Sequence, residues 1–402
     1  MGRSKREDRQ NGNMRIVFIC STGTSEYWIN LANAISKKCD LHLFLPSSLR
    51  NPKMSLYLEE SVNVHYFKKF KFFDVRNIFS LLRLCRQILK LGPSLVHLPG
   101  GIPFGLPMIY PLMKMKCPLV ITIHEPVPRI TPLKYIDFDA NVVVQSPYSP
   151  LESLYERLLL QIHMRTASAV IVAGKSVERE ATQYWKSRKY RIFTVPFGAY
   201  VHYTKLIKLP VKEEETTVLF FGTMRPGKGL GYLIKAEPAI SRKIKDLKII
   251  IAGRGSATAR GIYRGMIRNS QHFEIYDHFL EDEQLCELFQ RASIVVLPYY
   301  GPQSQSGVVF TAYAFLKPVV ITNVGSLPEA VTHGETGLVI PQHSVEALSN
   351  AIITLLKDEN TRERMKQNIH KRISSEQSWN TIAESMLVLY QKFMIRTHLT
   401  ES

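Results

Sequence analysis

The chain has 402 residues, too many for one ordinary domain and suited to two of about 150 to 200 residues each. A hydrophobic content of 45% with 21% charged residues fits a globular protein, and the most apolar stretch, residues 100–124, is broken by Gly, Pro and two Lys before a membrane span accumulates. Residues 1–210 carry 30 Lys and Arg against 14 Asp and Glu, a net +16, whereas residues 211–402 carry 22 against 20, so the front half is the part that meets something anionic: nucleic acid, anionic lipid or a phosphorylated acceptor.

Residues 1–13, MGRSKREDRQNGN, are polar and basic, lack a signal-peptide core and read as a disordered tail. From there apolar runs alternate with helical spacing. MRIVFIC (14–20), DLHLFLP (40–46), SLVHLPGG (94–101), PLVITIH (118–124), ANVVVQS (140–146), ASAVIVAG (167–174) and YRIFTVPFG (190–198) read as buried strands of an α/β domain over 14–200. In residues 67–92, FKKFKFF precedes an amphipathic helix. Its stripe of Val75, Ile78, Phe79, Leu82 and Leu89 reads as a core face, and the basic, aromatic segment ahead of it resembles a peripheral membrane element.

A polar connector, 201–215, follows and is expected to act as the hinge. The pattern then restarts over 216–377 with TTVLFFG (216–222), LKIIIAG (247–253), HFEIYDHF (272–279), ASIVVLPY (292–299), PVVITNVG (318–325) and TGLVIP (336–341). Two doubly wound parallel sheets facing across a cleft are expected, with ligands at the carboxyl ends of the strands. The five cysteines are scattered with no Cys-x-x-Cys pair, which favours reduced thiols in a cytoplasmic protein.

GTMRPGKGLGYLIKA (222–236) carries the sharpest chemistry. Gly222 ends a strand, and Gly227, Lys228 and Gly229 enter a helix, where free N–H groups and the positive dipole end favour an anion. Arg225 and Lys228 add two full charges for phosphate oxygens. It is not a Walker loop, and AGKS (173–176) fails that spacing too, with Ala169 where the first Gly belongs. At the end of a first-domain strand, ITIHEPVPR (121–129) sets His124 beside Glu125. His97 stands at another strand end, and Gly23 and Thr24 follow the first strand.

In order, VLFFGTMRPGKGLGYLIKA, IIIAGRG, LEDEQLCELFQRASIVVLPY and SQSGVVFTAYAFLKPVVITNVGSLPEAVTHGETGLVIP resemble the carboxyl-terminal domain of family 4 glycosyltransferases of the GT-B fold, over about residues 216–395. The resemblance implies two Rossmann-like domains and retaining transfer of a sugar from a nucleoside diphosphate sugar to a glycan or lipid-linked acceptor of polysaccharide synthesis. It also implies a terminal helix (378–395) that crosses back to the first domain. Arg225 and Lys228 would hold the donor diphosphate. Thr223 stands where the family Arg usually follows Gly222, and Gln303 and Thr311 stand where two Glu are usual. In the variant carrying QSGV, Gln305, Ser306, Gly307 and Val308 would face the diphosphate and sugar, Thr311 would offer one hydroxyl to the ribose, and His124 would contact the donor sugar or the acceptor hydroxyl.

With two cations on the leaving group no metal cofactor is expected; Asp137 and Asp139 resemble an Asp-x-Asp metal motif but lie in the wrong domain. Expected partners are the nucleotide-sugar donor, the acceptor and an anionic membrane surface at its inner face, with no nucleic acid, since no nucleic-acid module is present. Two rivals share the fold: a sugar nucleotide epimerase, and an inactive binding or scaffold subunit, the latter prompted by the missing Glu pair.

Overall fold

A computed structural model describes residues 14–20, 25–68, 77–100, 117–124, 134–137, 142–145, 158, 160–162, 164–185, 191–301 and 305–399. The front half holds β1 (Arg15–Cys20), β2 (Asp40–Pro46), β3 (Asn63–Phe67), β4 (Leu95–Gly100), β5 (Leu119–Ile123), β8 (Ala169–Val172) and β9 (Ile192–Thr194), all but β3 from the expected apolar runs. They form one parallel sheet in the order β3-β2-β1-β4-β5-β8-β9. Its central strands are buried on both faces, which is why they read as unbroken apolar runs and not as alternating ones. β3 escaped that reading because it is an edge strand and only Phe67 is buried. Helices α1 (Ser25–Ser36), α2 (Asn77–Leu91) and α3 (Lys175–Trp185) complete the described crossovers.

Two expectations change. The run at 140–146 is not another parallel strand: β7 (Val142–Gln145) pairs antiparallel with β6 (Lys134–Asp137), Tyr135 opposite Val144, in a separate hairpin. Only four residues join these strands, and a parallel connection needs a dozen or more. Helix α2 is also rotated from the expected stripe. It buries Leu81, Leu84, Cys85 and Ile88 in the core with Val17, Ile19 and Val96, and leaves Phe79 77% and Leu89 41% exposed. Val75 and the segment 69–76 lie outside the described residues, as does the side chain of Ile78.

In the second half all six runs become strands: β10 (Thr217–Phe221), β11 (Lys248–Ala252), β12 (Phe273–Tyr276), β13 (Ile294–Leu297), β14 (Val319–Thr322) and β15 (Gly337–Ile340). They form a parallel sheet in the order β12-β11-β10-β13-β14-β15. Helices α4 (Leu230–Ser241), α5 (Ala257–Met266), α6 (Asp282–Arg291), α7 (Gly307–Ala314), α8 (Val345–Lys357) and α9 (Glu359–Ser374) flank it, and α10 (Trp379–Leu399) ends the chain. Strand order reverses between β10 and β13 here and between β1 and β4 in the first sheet. In such sheets that reversal opens a crevice at the carboxyl ends of the strands.

The chain divides into two units, one holding residues within 1–130, 150–198 and 377–402, the other those within 131–149 and 199–376. Helix α10 therefore belongs with the first unit: Trp379 lies against Tyr27 of α1 and Tyr390 reaches His97 of β4. The two crossing points touch, since a Cβ on Gly198 would lie 2.8 Å from the Gln377 carbonyl oxygen and 2.7 Å from the Trp379 indole.

The connector 201–215 is not loose. His202 and Tyr203 are buried, and Cys286 donates to the Tyr203 carbonyl. Glu213 pairs with Lys317 (2.6 Å) and Lys366 (3.0 Å), and Glu214 with Arg291 (2.7 Å) and Lys248 (2.8 Å). Residues 201–215 lie wholly within the second unit. All five cysteines are free thiols.

Candidate functional site

At the switch point of the second sheet, the loop after β10 crosses the loop after β13 at glycines. Gly227, at φ +85°, accepts N–H bonds from Tyr300 (3.0 Å) and Gly301 (3.3 Å), and a Cβ on Gly301 would sit 3.1 Å from the Gly227 Cα. Gly229, at φ +72°, caps α4, and a Cβ there would run into the Pro298 carbonyl. Only glycine meets both demands, left-handed backbone and contact with another main chain. Gly222 leaves β10 as an open turn, and Thr223 and Arg225 are exposed beyond it.

Between the two loops stands Lys228. Its ammonium lies 3.8 Å from the centroid of the Tyr299 ring, in cation–π contact. Tyr299 is fully buried, and its hydroxyl is 3.4 Å from the Ser306 hydroxyl. Burial pushes the phenol up to about 12, against the pull of Ser306 and of the Arg225 charge, so it stays a neutral donor. Ser306 is the N-cap of α7, yet its side chain makes no capping bond. A helix start leaves first-turn N–H groups without intrahelical acceptors, which makes the Gly307–Val308 turn an anion-receptive end. Tyr200 closes against it, since a Cβ on Gly307 would be 3.1 Å from its ring. The Thr311 hydroxyl donates back to the Gly307 carbonyl at 3.2 Å, one turn earlier. Lys228, Ser306, Gly307 and Val308 are thus brought together through a residue the sequence reading passed over, Tyr299. Its only signal was an aromatic directly after Pro298 at a strand end.

In the first unit the two histidines part company. His97 is fully buried; Nε2 meets the Thr122 hydroxyl at 2.8 Å and Nδ1 the Tyr390 hydroxyl at 2.6 Å. Burial pulls its pKa down to about 3, and both ring nitrogens are engaged by protein, so His97 joins β4, β5 and α10 and offers nothing to a substrate. His124 is partly exposed, with Tyr27 and Phe197 each 5.3 Å from its ring. Burial lowers it to about 4, partly offset by a 3.3 Å bond to the Pro99 carbonyl. A carbonyl only accepts, so Nε2 carries the proton and Nδ1 presents a lone pair. Gly23, Thr24, Glu125, Asp139 and Gln303 lie outside the described residues, and Gln305 is half-buried beside Ser306. Among the described residues no three His, Cys, Asp or Glu side chains gather as metal ligands.

A family profile described as Glycosyltransferase Family 4 matches residues 21–200, and one described as Glycosyl transferases group 1 matches residues 204–372. The chain belongs to the group 1, family 4 glycosyltransferases. Its two parallel sheets are those of the GT-B fold. Among curated relatives, D-inositol 3-phosphate glycosyltransferase from Corynebacterium glutamicum (strain R) is 35% identical over 182 residues. That match covers 43% of this chain and 42% of that protein, so less than half the relative's length is spanned. In fold, sucrose-phosphate synthase from Thermosynechococcus elongatus superposes with a TM-score of 0.67 at 18% identity, over 96% of this chain and 100% of that one. HepE from Anabaena, solved with UDP and glucose, gives 0.67 at 17% identity over 94% and 100%. No helix among the described residues of this glycosyltransferase is long and apolar enough to cross a membrane.

Proposed function

We propose that this glycosyltransferase is a retaining, metal-independent hexosyltransferase of the cytoplasm. It moves a sugar from a nucleoside diphosphate sugar to a lipid-linked or polysaccharide-precursor acceptor at the inner face of a membrane. The observation that carries the reading is Lys228 held over Tyr299 beside the uncapped start of α7. The diphosphate lies on that lysine, with Arg225 and the Gly307–Val308 amides around it. As the bond from the anomeric carbon to the diphosphate breaks, charge grows on the departing oxygen, and donors already in place stabilise it without reorganising. The acceptor hydroxyl bonds to the same carbon on the face the diphosphate leaves and passes its proton to the departing phosphate oxygen, so configuration is retained. His124, neutral at pH 7 with Nε2–H spent on Pro99, is a poor proton carrier and acts by accepting a hydroxyl hydrogen at Nδ1, orienting sugar or acceptor.

The test is thermal stability with UDP, GDP and ADP, with and without EDTA, on wild type and Lys228→Ala. A ligand at a hundred times its dissociation constant adds about 2.7 kcal/mol. One nucleotide stabilising wild type in EDTA, and not the variant, is expected; stabilisation that vanishes in EDTA overturns metal independence. One observation favours a second reading. Thr311 spends its hydroxyl on Gly307, where a ribose-gripping carboxylate is usual, as an inactive binding subunit would allow. Nucleotide binding without transfer to any acceptor would select it, and sugar isomerisation without an acceptor would select an epimerase.

A further inference from the structure

We propose that the outward face of α2 docks the chain on an anionic lipid surface. The helix buries Leu81, Leu84, Cys85 and Ile88, and at about 100° per residue the opposite side carries Phe79, Arg83, Arg86 and Lys90 in one line, bordered by Leu82 and Leu89. All three cations are exposed, Phe79 is 77% exposed and Leu89 41%. Nothing nearby in the chain balances the charge: no Asp or Glu occurs between Asp74 and Glu125, while that interval holds Arg76, Arg83, Arg86, Lys90, Lys114 and Lys116. A helix face that merely meets water usually mixes signs in i,i+4 pairs. Cations in a line, flanked by an exposed aromatic and leucines, are the composition of a helix lying in a membrane interface: the apolar side chains enter the headgroup boundary and the cations meet lipid phosphates. A nucleic acid could use Phe79 for base stacking but leaves the flanking aliphatic Leu82 and Leu89 unexplained. The surface stands on these observations whether or not the transfer reaction is the one proposed above.

Flotation of the full chain with phosphatidylcholine vesicles, with and without phosphatidylglycerol, tests it. Binding is expected only to the anionic vesicles and should weaken with salt. Arg83→Gln/Arg86→Gln/Lys90→Gln is expected to lower the partition coefficient about a hundredfold, at about fivefold per charge, and Phe79→Ser to lower it further. These side chains are exposed, so the melting temperature and its shift with nucleotide are expected to stay at wild-type values, which separates loss of docking from loss of fold or of the donor site. Failure of wild type to float on anionic vesicles, equal flotation of the triple variant, or retention on RNA with none on vesicles would each overturn the proposal.

Discussion

The strand ends of the two sheets are built from opposite materials. In the second unit main chain does the building: glycines packed against carbonyls bring two loops together, and Lys228 stands over one aromatic ring beside them. In the first unit side-chain burial makes the difference, since two histidines of neighbouring strands differ in depth and in how the protein uses their nitrogens. Where backbone builds a site, a substitution should act through shape or through the single charge; where burial builds it, pH should be the lever.

The largest expected effect is on the charge. Lys228→Ala should lower the transfer rate about 10²- to 10³-fold, the cost of removing one donor aimed at developing negative charge. Lys228 is only partly buried, so the melting temperature without nucleotide should barely move. A near-wild-type rate would break the comparison at its stronger end.

Next comes shape. Gly229→Ala adds a Cβ against the Pro298 carbonyl at a positive φ, and should cost about 2–5 kcal/mol by urea unfolding. Gly334→Ala is the control, at φ +79° with nothing within 4 Å of the added carbon, and should cost about 1 kcal/mol. Equal costs would mean that backbone conformation alone, and not the loop crossing, demands glycine at 229.

Burial makes the third prediction. His97 and His202 are buried neutral with folded pKa values near 3. The unfolded chain takes up protons at about 6.5 and the folded one does not, so stability is unaffected above that pH and falls as pH drops toward 3. Each histidine contributes a slope of about 1.4 kcal/mol per pH unit in that window. His97→Gln should remove one such contribution while keeping partners for Thr122 and Tyr390. An unchanged slope would show that His97 is protonated in the fold. His124→Ala should lower transfer with a smaller effect on stability, because its ring is only partly buried and its Nε2 bond to Pro99 is long, at 3.3 Å.

The same contrast explains what was legible in the sequence. All six strands of the second sheet could be read: the inner ones because parallel strands buried on both faces are unbroken apolar runs, the edges β12 and β15 because they keep apolar residues although half-buried. Histidines declare nothing by type: His97, expected at a strand end, lies inside β4, where Thr122 and the hydroxyl of Tyr390, 293 residues away, take both ring nitrogens, while His124 follows the end of β5. The face of α2 was misread because two apolar stripes share one helix and sequence does not say which is left exposed; packing against Val17, Ile19 and Val96 selects the other. The packing of the connector was not legible because Glu213 and Glu214 look solvated in sequence, while their partners Lys317, Lys366, Arg291 and Lys248 lie far along the chain.

The smallest effect sharpens the comparison most. Tyr299 gives Lys228 a ring and Ser306 a hydroxyl, and these separate cleanly by substitution. Tyr299→Phe keeps the ring and loses the 3.4 Å contact to the α7 N-cap; Tyr299→Leu loses both. A cation–π contact at a partly desolvated site is worth about 0.5–2 kcal/mol, so Tyr299→Leu should weaken nucleotide diphosphate binding by roughly 2- to 30-fold, whereas Tyr299→Phe should stay within about twofold of wild type. The nucleoside without phosphates should bind all three proteins alike, because Lys228 has no diphosphate to meet there. If Tyr299→Phe and Tyr299→Leu fall together, the hydroxyl and its hold on Ser306 set the site, and α7, more than Lys228, carries the anion. If only the leucine variant falls, the ring acts by aiming one ammonium, and the second unit's site reduces to a glycine-shaped mouth with a single oriented charge.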